Sequence, residues 1–373
     1  MLLETEMDVF SSPAFDEHEQ VLFFYDRPSG LKAIVALHDT TLGPAIGGCR
    51  FWPYASEAEA LTDVLRLSKG MTYKAAMADL PFGGGKSVII GDPRSARSEA
   101  LFRAFGRAIH SLAGAYYTGE DVGTRPHDMD WAGQETPYVL GRSQGGGGDP
   151  SPVTAQGVLL GIRAAVRHRF GRDELQRVRV AIQGTGHVGG NLATLLAAAG
   201  AQLILADIDA ERAARKATEL GARQVGCDEI LAVEAEVLAP CALGGVINDR
   251  TLPKLSCDIV AGAANNQLLE PRHGVALHAR GILFAPDYVT NAGGLINIAQ
   301  ELRPGGYDRA RALAQVATIE TTLAEIFERS ERENRPTHEI ADQVADERIR
   351  AARRANAVAY PHVGAAVEQA AAG

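Results

Sequence analysis

The stretch RVAIQGTGHVGGNLATLLAAAGAQLILADID constrains the fold most, because a glycine-rich turn stands between strand-like and helix-like runs. A strand is predicted over 178–183, followed by Gly184-x-Gly186-x-x-Gly189, a helix and a second strand that ends at Asp207. In such a unit the first glycine permits a tight turn, the second lets the backbone approach a pyrophosphate, and the third lets helix and strand pack closely. The phosphates lie against free N–H groups at the helix N-terminus. The stretch therefore predicts a dinucleotide-binding α/β unit rather than an ordinary glycine-rich turn.

The carboxylate at the end of the second strand bears on the choice of cofactor. Asp207 lies about 20 residues beyond the first glycine, where a carboxylate can accept hydrogen bonds from the adenosine ribose. It would also repel a 2′-phosphate, which favours NAD over NADP. Arg212 and Arg215 follow closely in sequence and could oppose this preference.

Composition excludes several other classes of protein. The net charge of −9 argues against a nucleic-acid surface, since phosphate binding needs clustered Lys and Arg. No apolar run approaches the roughly 20 residues that a membrane span needs. The acidic first 20 residues contain no Lys or Arg, so we expect no secretory signal. The four cysteines lack metal-binding spacing and are typical of reduced thiols, which indicates a cytoplasmic protein without a metal site.

A glycine- and proline-rich segment at 143–152 divides the chain, whose 373 residues are enough for about two domains. The elements predicted before it alternate between strand and helix: a strand over 31–39, a helix capped by Ser56 and Glu59, a strand over 87–92 and a helix that ends at Gly114. After it, strand-like runs are predicted at 236–242, 257–266 and 281–289, then a long helical part interrupted at 334–336. Both parts are therefore α/β in character.

Two lysines stand close together in GMTYKAAMADLPFGGGKSVIIGDP, around a run of three glycines. Most lysines are solvated on the surface, but Lys74 and Lys86 could instead hold a substrate carboxylate and move a proton. Asp121, in GEDVGT, is a further candidate, although helix or turn capping is common for Asp. Gly47 and Gly48 allow the backbone to approach a ligand closely. A nicotinamide cofactor exchanges hydride, so its partner site must supply substrate binding and a proton acceptor of this kind.

A set of motifs carries a resemblance to a known family: GPAIGGCR, GMTYK, FGGGKSVIIGDP, GEDVGT, GGGGDPSPVTA, APCALGGVIN, GAANNQL and APDYVTNAGGLIN. In this order they resemble the NAD-dependent L-amino-acid dehydrogenases, the leucine, valine and phenylalanine members of the glutamate dehydrogenase superfamily. The resemblance implies a two-domain α/β fold, with a substrate-binding and catalytic domain at 1–147 and a Rossmann-type NAD-binding domain at 148–344. It further implies an active site in the cleft between them, C-terminal helices at about 345–373 that pack back on the first domain, and a homo-oligomer.

The resemblance also implies roles for the candidate residues. Lys74, in the MTYK motif, would bind the substrate carboxylate, and Lys86, in the GGGK motif, would be the catalytic lysine. Hydride transfer from an L-amino acid gives an iminium, which water attacks with Lys86 as general base to yield the 2-oxo acid and ammonia. Asp121 would manage protons at the substrate nitrogen. Gly47 and Gly48 would place backbone groups near the developing carbonyl oxygen.

The cofactor contacts implied by the resemblance lie mostly in the second half of the chain. They are Arg50, Thr154, Gly184, Thr185, Gly186, His187, Val188, Gly189, Asp207, Ala242 and Asn265. From the residues alone, Asn265 and Asn291 follow strand-like runs, where an Asn is often a turn former. The phosphate turn departs from the family pattern at Thr185, since the family more often has an aliphatic residue there.

The expected substrate pocket contains no charged side chain. By family position it is lined by Ile46, Met71, Gly119, Leu295 and Ile298. A second carboxylate would be desolvated without a partner, which disfavours glutamate. Gly119 leaves more room than the Ala of leucine-type relatives, which favours phenylalanine, whereas the bulky Leu295 and Ile298 favour leucine or valine.

Two alternatives from other classes remain open. One is a non-catalytic NAD-binding regulator, against which the presence of Lys74, Lys86 and Asp121 together counts. The other is a 2-hydroxy-acid dehydrogenase, which would need a proton-accepting histidine with a carboxylate partner. His127, His187 and His273 are in predicted loops, but none has the motif context for that role.

Overall fold

The computed structural model describes residues 8–143 and 146–359, which form two compact units. The first lies within Met1–Gly148 together with Ala345–Gly373, and the second is Asp149–Val344. The predicted C-terminal helices fall partly on residues 360–373, which lie outside the described residues. Each unit has its own sheet and its own core.

The first unit contains a five-stranded sheet in the order β1-β2-β4-β3-β5. Its strands and helices are β1 (Gln20–Asp26), β2 (Leu31–Asp39), β3 (Ala45–Trp52), α1 (Glu57–Met77), β4 (Gly83–Ile90), α2 (Glu99–His110), β5 (Tyr116–Glu120) and α3 (Pro126–Ala132). Strand β2 is antiparallel to β1 and β4, whereas β4, β3 and β5 run parallel. The carboxyl ends of β4, β3 and β5 therefore lie along one edge of the sheet.

Both faces of this sheet are covered, which explains why β2 is apolar along most of its length. Ile34 and Ala36 face the cluster that includes Leu61, Val64 and Leu65 of α1. Alternate residues of the same strand face the cluster built around Phe102 and Phe105 of α2, because successive side chains of a strand point to opposite faces.

Two sequence predictions in this unit are confirmed closely. The strand predicted at 31–39 is β2. At the start of α1, Ser56 Oγ accepts a hydrogen bond from Glu59 N at 3.1 Å, while the Glu59 carboxylate accepts one from Ala55 N at 2.8 Å. Ser56 thus satisfies a backbone N–H group of the first helical turn, whereas Glu59 satisfies the amide that precedes the cap residue.

Two predicted boundaries in this unit were wrong. Helix α2 ends at His110 rather than Gly114, because Ala113 (φ 51°) and Gly114 (φ 88°) adopt left-handed conformations that no helix continues. Strand β4 begins at Gly83, so the three glycines of the GGGK motif lie within the strand and not before it.

The glycines of β4 allow the elements on both sides of the strand to pack against its backbone. A Cβ added at Gly84 would lie 2.0 Å from Thr72 N, in the helix backbone of α1. One added at Gly85 would lie 2.7 Å from the ring of Tyr116. Helix α1, which carries Met71 and Lys74, is thereby held directly against the strand that carries Lys86.

The second unit contains a six-stranded parallel sheet in the order β11-β10-β9-β6-β7-β8. Its strands are β6 (Arg179–Gln183), β7 (Gln202–Ala206), β8 (Arg223–Gln224), β9 (Ala235–Pro240), β10 (Cys257–Val260) and β11 (Leu283–Phe284). The helices are α4 (Ser151–Phe170), α5 (His187–Ala198), α6 (Ala210–Leu220), α7 (Pro271–Ala279), α8 (Asp287–Thr290), α9 (Gly293–Ala299), α10 (Arg309–Val316), α11 (Thr318–Glu333) and α12 (Thr337–Ala359). The strand order reverses beside β6, which carries the glycine-rich turn.

Later strands of this unit are shorter than the sequence predicted. Strand β10 covers four residues of the run at 257–266, and β11 covers two of the run at 281–289 before the chain enters α8. The predicted interruption at 334–336 is confirmed, with Asn334 in the left-handed conformation at φ 49°. A further break at Ala317 separates α10 from α11.

The C-terminal part of α12 belongs to the first unit and contacts its helix α1 and strand β2. Tyr73 Oη donates to Asp346 Oδ1 at 2.9 Å, and the Arg353 guanidinium lies 2.7 Å from Asp39 Oδ2. Across residues 8–143 and 146–359, none of the helices is long and apolar enough to span a bilayer. The same residues contain no cluster of three ligands suited to a metal ion.

Substituting Gly84 tests the packing of α1 on β4. We expect Gly84→Ala to lower the free energy of unfolding by about 1–3 kcal/mol, because the added methyl overlaps helix backbone that cannot move alone. Gly70→Ala is the matched control: it lies on an exposed face of α1 with no atom near its Cβ, so we expect a gain of up to about 1 kcal/mol. Thermal and urea denaturation of both variants would measure this. Equal stability of the two would contradict the packing.

Candidate active site

An ion pair of low exposure joins the middle of strand β4 to the residue that follows β5 in the first unit. Lys86, on β4, is only 6% exposed, and its Nζ lies 2.8 Å from Oδ2 of Asp121, the residue that follows β5. Arg50 Nε on β3 donates to the same oxygen at 3.3 Å. Three adjacent strands therefore direct one anion and two cations to a single point.

The ion pair extends into a longer chain of polar groups. The second end of the Arg50 guanidinium, NH1, lies 2.9 and 3.2 Å from the two carboxylate oxygens of Asp63 on α1. Tyr54 Oη donates to Asp63 Oδ2 at 2.6 Å. Positive and negative groups alternate along these contacts, from Lys86 through Asp121 and Arg50 to Asp63. The charges of the two cations and the two anions therefore balance.

These contacts fix the ionisation of Asp121. Burial alone would raise the pKa of this carboxyl, but the Lys86 ammonium and the Arg50 guanidinium lower it to about 2. Asp121 is therefore an anion throughout the neutral range. At the far end, burial and the hydrogen bond to Asp63 raise the pKa of Tyr54, which keeps its hydroxyl a donor.

The two lysines of the motif lie on different elements of this unit. Lys86, on β4, pairs with the Asp121 carboxylate. Lys74 lies in the last turn of α1 and is half-buried.

The glycine pair of β3 completes this group of residues. A Cβ added at Gly48 would lie 2.8 Å from Asp121 Cβ, and one added at Gly47 would lie 3.3 Å from Met71 Cγ. The first-unit site, defined as Gly47, Gly48, Arg50, Met71, Lys86 and Asp121, thus brings six of the predicted residues together. Gly119 is on β5, two residues before Asp121, where an added Cβ would make ordinary contacts of 3.6–4.0 Å with Leu140. Ile46 is buried within β3.

The second unit contains the glycine turn, and its shape suits a dinucleotide. Gly184 has φ 96°, which favours glycine, and a Cβ added at Gly189 would lie 2.0 Å from Gly184 O. A Cβ at Gly186 would meet no atom within 4 Å, so open space lies beside the backbone where α5 begins at His187. Pyrophosphate oxygens fit such a cradle, since the first N–H groups of a helix lack intrahelical partners.

Asp207 follows β7 at this turn, as predicted, but its carboxylate already has several donors. Oδ2 accepts from Thr185 N at 2.7 Å and from Thr185 Oγ1 at 3.0 Å. Oδ1 accepts from Asp209 N at 2.9 Å and lies 3.4 Å from the guanidinium of Arg212. The other nearby arginine, Arg215, pairs with Glu211 at 3.7 Å instead.

The remaining predicted residues of this unit lie near the carboxyl ends of β6, β9 and β10 or on α4 and α9. Ala242 is close enough to the turn that a Cβ at Gly184 would lie 2.9 Å from its own. Thr154, on α4, donates to Pro150 O at 3.0 Å. Asn265 Oδ1 accepts a hydrogen bond of 2.7 Å from Asn291 Nδ2. Val188 follows His187 in the first turn of α5, while Leu295 is buried and Ile298 half-buried on α9.

Sequence reasoning missed Asp63 and Tyr54 and did not assign Asn291 to the site. Asp63 stands about three helical turns before Lys74 on α1, and this spacing was the available signal that both share a helix face. Tyr54 lies in the short connection before α1, where no periodicity applies. Asn291 was interpreted as a turn former, although its side chain holds that of Asn265.

A double-mutant cycle tests the buried ion pair. Asp121→Asn leaves the Lys86 ammonium buried without this partner, whereas Lys86→Met leaves Asp121 with Arg50. We therefore expect Asp121→Asn to lower the free energy of unfolding by about 3 kcal/mol and Lys86→Met to lower it by less. The double variant should lose clearly less than the sum of the two, because it removes both charges. Urea denaturation at neutral pH gives the coupling energy, and strictly additive losses would contradict the pairing.

Comparison with known proteins agrees with the geometry of both units. A family model described as the Glu/Leu/Phe/Val dehydrogenase dimerisation domain matches residues 18–138, and one described as glutamate/leucine/phenylalanine/valine dehydrogenase matches residues 205–369. The chain is 52% identical to a leucine dehydrogenase of Geobacillus stearothermophilus, over 94% of this chain and 95% of that protein. It is 49% identical to a phenylalanine dehydrogenase of Caldalkalibacillus thermarum strain TA2.A1, over 94% of this chain and 97% of that protein.

A solved structure gives the same result. The crystal structure of L-tryptophan dehydrogenase from Nostoc punctiforme superposes with a TM-score of 0.81 at 45% sequence identity, covering 91% of this chain and 97% of that chain. The resemblance seen in the motifs and the two-domain α/β fold class are thereby confirmed. The chain belongs to the glutamate/leucine/phenylalanine/valine dehydrogenase family and is an NAD(P)-dependent amino acid dehydrogenase, an oxidoreductase.

Proposed function

We propose that the protein catalyses the reversible, NAD-dependent oxidative deamination of a hydrophobic L-amino acid, with L-phenylalanine as the preferred substrate. The observation that carries this proposal is the buried Lys86–Asp121 pair beside the glycine backbone of β3. It combines a lysine for proton transfer with a fixed carboxylate, next to glycines that let β3 pack closely against β4 and the end of β5. The products are the 2-oxo acid and ammonia.

The residues of the first-unit site divide the work of binding and proton transfer. Lys74 binds the substrate carboxylate as a charge-assisted pair, and Gly47 and Gly48 present backbone to the reacting carbon. A bound nicotinamide would supply the hydride acceptor for that carbon. Lys86, as the free amine, then takes a proton from the water that attacks the substrate imine carbon. Asp121 holds the lysine in position and handles the proton at the departing nitrogen.

Arg50 and Asp63 support this chemistry from outside the reacting group. Arg50 donates to Asp121 Oδ2, which fixes the orientation of the carboxylate, and Asp63 balances the positive charge of Arg50. A cofactor contact by Arg50, implied by the family resemblance, remains part of the proposal.

The cofactor site is proposed to lie at the glycine turn of the second unit. Gly184–Gly189 and the start of α5 would hold the pyrophosphate, and Asp207 would accept hydrogen bonds from the adenosine ribose. Thr154, Ala242 and Asn265 would contact the nicotinamide end. The carboxylate of Asp207 supports NAD over NADP.

Phenylalanine is favoured over leucine and valine because of Gly119. Its missing side chain leaves room on β5, and the nearest atoms to an added Cβ belong to Leu140 alone. The second candidate is a branched-chain amino acid, which the leucine dehydrogenase at 52% identity and the bulky Leu295 and Ile298 favour. The dimerisation domain named for residues 18–138 supports a homo-oligomer, which we propose to act in the cytoplasm.

Lysine substitutions separate catalysis from binding. We expect Lys86→Ala to lower kcat at least tenfold, or about 1.4 kcal/mol of transition-state stabilisation, with NADH affinity nearly unchanged because the phosphate turn is in the second unit. Lys74→Ala should raise KM for the amino acid most strongly, since it removes the cation that pairs with the carboxylate. Steady-state kinetics and NADH fluorescence titration give both quantities. If Lys86→Ala kept more than a tenth of the wild-type kcat, the general-base role would be wrong.

The pH profile reports the protonation of Lys86. Asp121, with its pKa near 2, is ionised from pH 6 to 10 and cannot cause a change in that range. The free amine of Lys86 is needed as base, so deamination should accelerate from neutral into alkaline pH. A flat wild-type profile, with chemistry shown to limit the rate, would rule out lysine as base.

A substrate panel tests the choice of phenylalanine. We expect kcat/KM to be highest for L-Phe among L-Phe, L-Leu and L-Val. Gly119→Ala should lower it for L-Phe by about 1–3 kcal/mol and less for the others, because a ring needs the space the methyl takes. Gly70→Ala on the exposed face of α1 is the control. A tenfold wild-type preference for L-Leu or L-Val would replace phenylalanine by a branched-chain substrate, and an unshifted mutant would exclude Gly119 from the pocket.

A further inference from the structure

The carboxylate of Asp207 is nearly enclosed by its own neighbours. Only 7% of its side chain is exposed. Two donors of Thr185, the backbone N–H and the hydroxyl, point to Oδ2, while the Asp209 N–H and the Arg212 guanidinium point to Oδ1. An ionised carboxylate has about four acceptor positions, two on each oxygen. All of them therefore face a donor of the chain itself.

Of these four donors, the Thr185 hydroxyl is the one supplied by a replaceable side chain within the turn. The backbone N–H groups of Thr185 and Asp209 are fixed by the turn and by the start of α6. Arg212 is 43% exposed, and its contact at 3.4 Å is longer than an ordinary hydrogen bond. The hydroxyl, at 3.0 Å, donates within hydrogen-bond distance and occupies an oxygen that a ribose hydroxyl would otherwise use.

We propose that the Thr185 hydroxyl competes with the adenosine ribose for Asp207. Thr185 then weakens NAD(H) binding and narrows the difference in binding affinity between NADH and NADPH. The proposal rests on the proposed position of the ribose at Asp207. A ribose hydroxyl gains a hydrogen bond to Oδ2 only by displacing the Thr185 hydroxyl. NADPH carries a phosphate in place of the 2′-hydroxyl, so it loses one such donor and suffers less from the competition.

Arg212 also narrows the difference in binding affinity between NADH and NADPH, because it favours the 2′-phosphate of NADPH. Burial opposes ionisation of Asp207, but the Thr185 and Asp209 amides and the nearby Arg212 lower the pKa of this carboxyl, which is charged at neutral pH. The guanidinium lies close enough to offset part of that charge as felt by a 2′-phosphate. Arg215, paired with Glu211, is not placed to do so.

Removing the Thr185 hydroxyl should change the affinity for NADH and the thermal stability of the cofactor-free protein in opposite directions. Thr185→Val keeps the shape and the backbone N–H but removes the hydroxyl. We expect NADH to bind about two- to tenfold more tightly, the range of one net hydrogen bond, and NADPH to change less. Without cofactor, the same variant should have a lower thermal midpoint, because Asp207 has lost a donor. Thr185→Ala should change both quantities in the same directions.

The experiment is a fluorescence titration of NADH and NADPH together with cofactor-free thermal denaturation of the full chain. Thr185→Ser, which retains the hydroxyl, should match wild type. Thr194→Val is the matched control on α5, where the hydroxyl donates to Gly190 O and not to Asp207. It should leave both dissociation constants unchanged.

The outcomes separate this inference from the proposed cofactor. Unchanged or weaker NADH binding by both Thr185→Val and Thr185→Ala would overturn the inference, since the hydroxyl would then be neutral or would orient Asp207 for the ribose. The proposed NAD dependence would stand in that case. A folded wild-type protein that bound NADPH but not NADH would instead overturn the proposed cofactor.

Discussion

The close approach of helix α1 to strand β4 is the constraint on which the first-unit site depends. At Gly84 the helix backbone occupies the space that any side chain would need. This contact holds α1, with Asp63, Met71 and Lys74, against the strand that carries Lys86. A bulkier strand would move the helix outward by the size of a side chain, and Met71 could no longer lie beside Gly47. The glycine motif thus acts as a spacing device before it takes part in any chemistry.

Alternating charges explain how two cations and two anions can share a site of low exposure. An isolated buried charge is strongly destabilising, because its loss of hydration is not offset by a partner. Removing one partner of a buried pair therefore costs stability through the charge that remains. From Lys86 to Asp63, each charged group contacts a group of the opposite sign, and Tyr54 donates to the last carboxylate. The network therefore fixes Asp121 as an anion in one orientation.

Sequence patterns predicted those features of the fold that interactions between neighbouring residues determine. The cap at Ser56, the strand β2 and the turn at Gly184 follow from side-chain hydrogen bonding, periodicity and allowed backbone angles, which sequence expresses directly. The end of α2 and the short length of β11 depend on tertiary packing. At the ends of helices and strands, such packing outweighs the secondary-structure propensity of the residues. Asp63 was missed for a similar reason: a charged residue on a helix is usually solvated, and only the tertiary position of Arg50 gives it a buried partner.

Two carboxylates that follow parallel strands are held by different kinds of donor. Asp121 follows β5 and Asp207 follows β7, and both are held by several donors. The partners of Asp121 are a lysine and an arginine, whose charges lower its pKa and hold it in place. Those of Asp207 are mainly neutral N–H and O–H groups of its own turn. Neutral donors bind less strongly than charged ones, so they can be exchanged for a ligand hydroxyl at small free-energy difference. Charged partners therefore hold the carboxylate of Asp121 in one orientation, whereas the carboxylate of Asp207 can exchange its neutral donors for other hydrogen-bond donors.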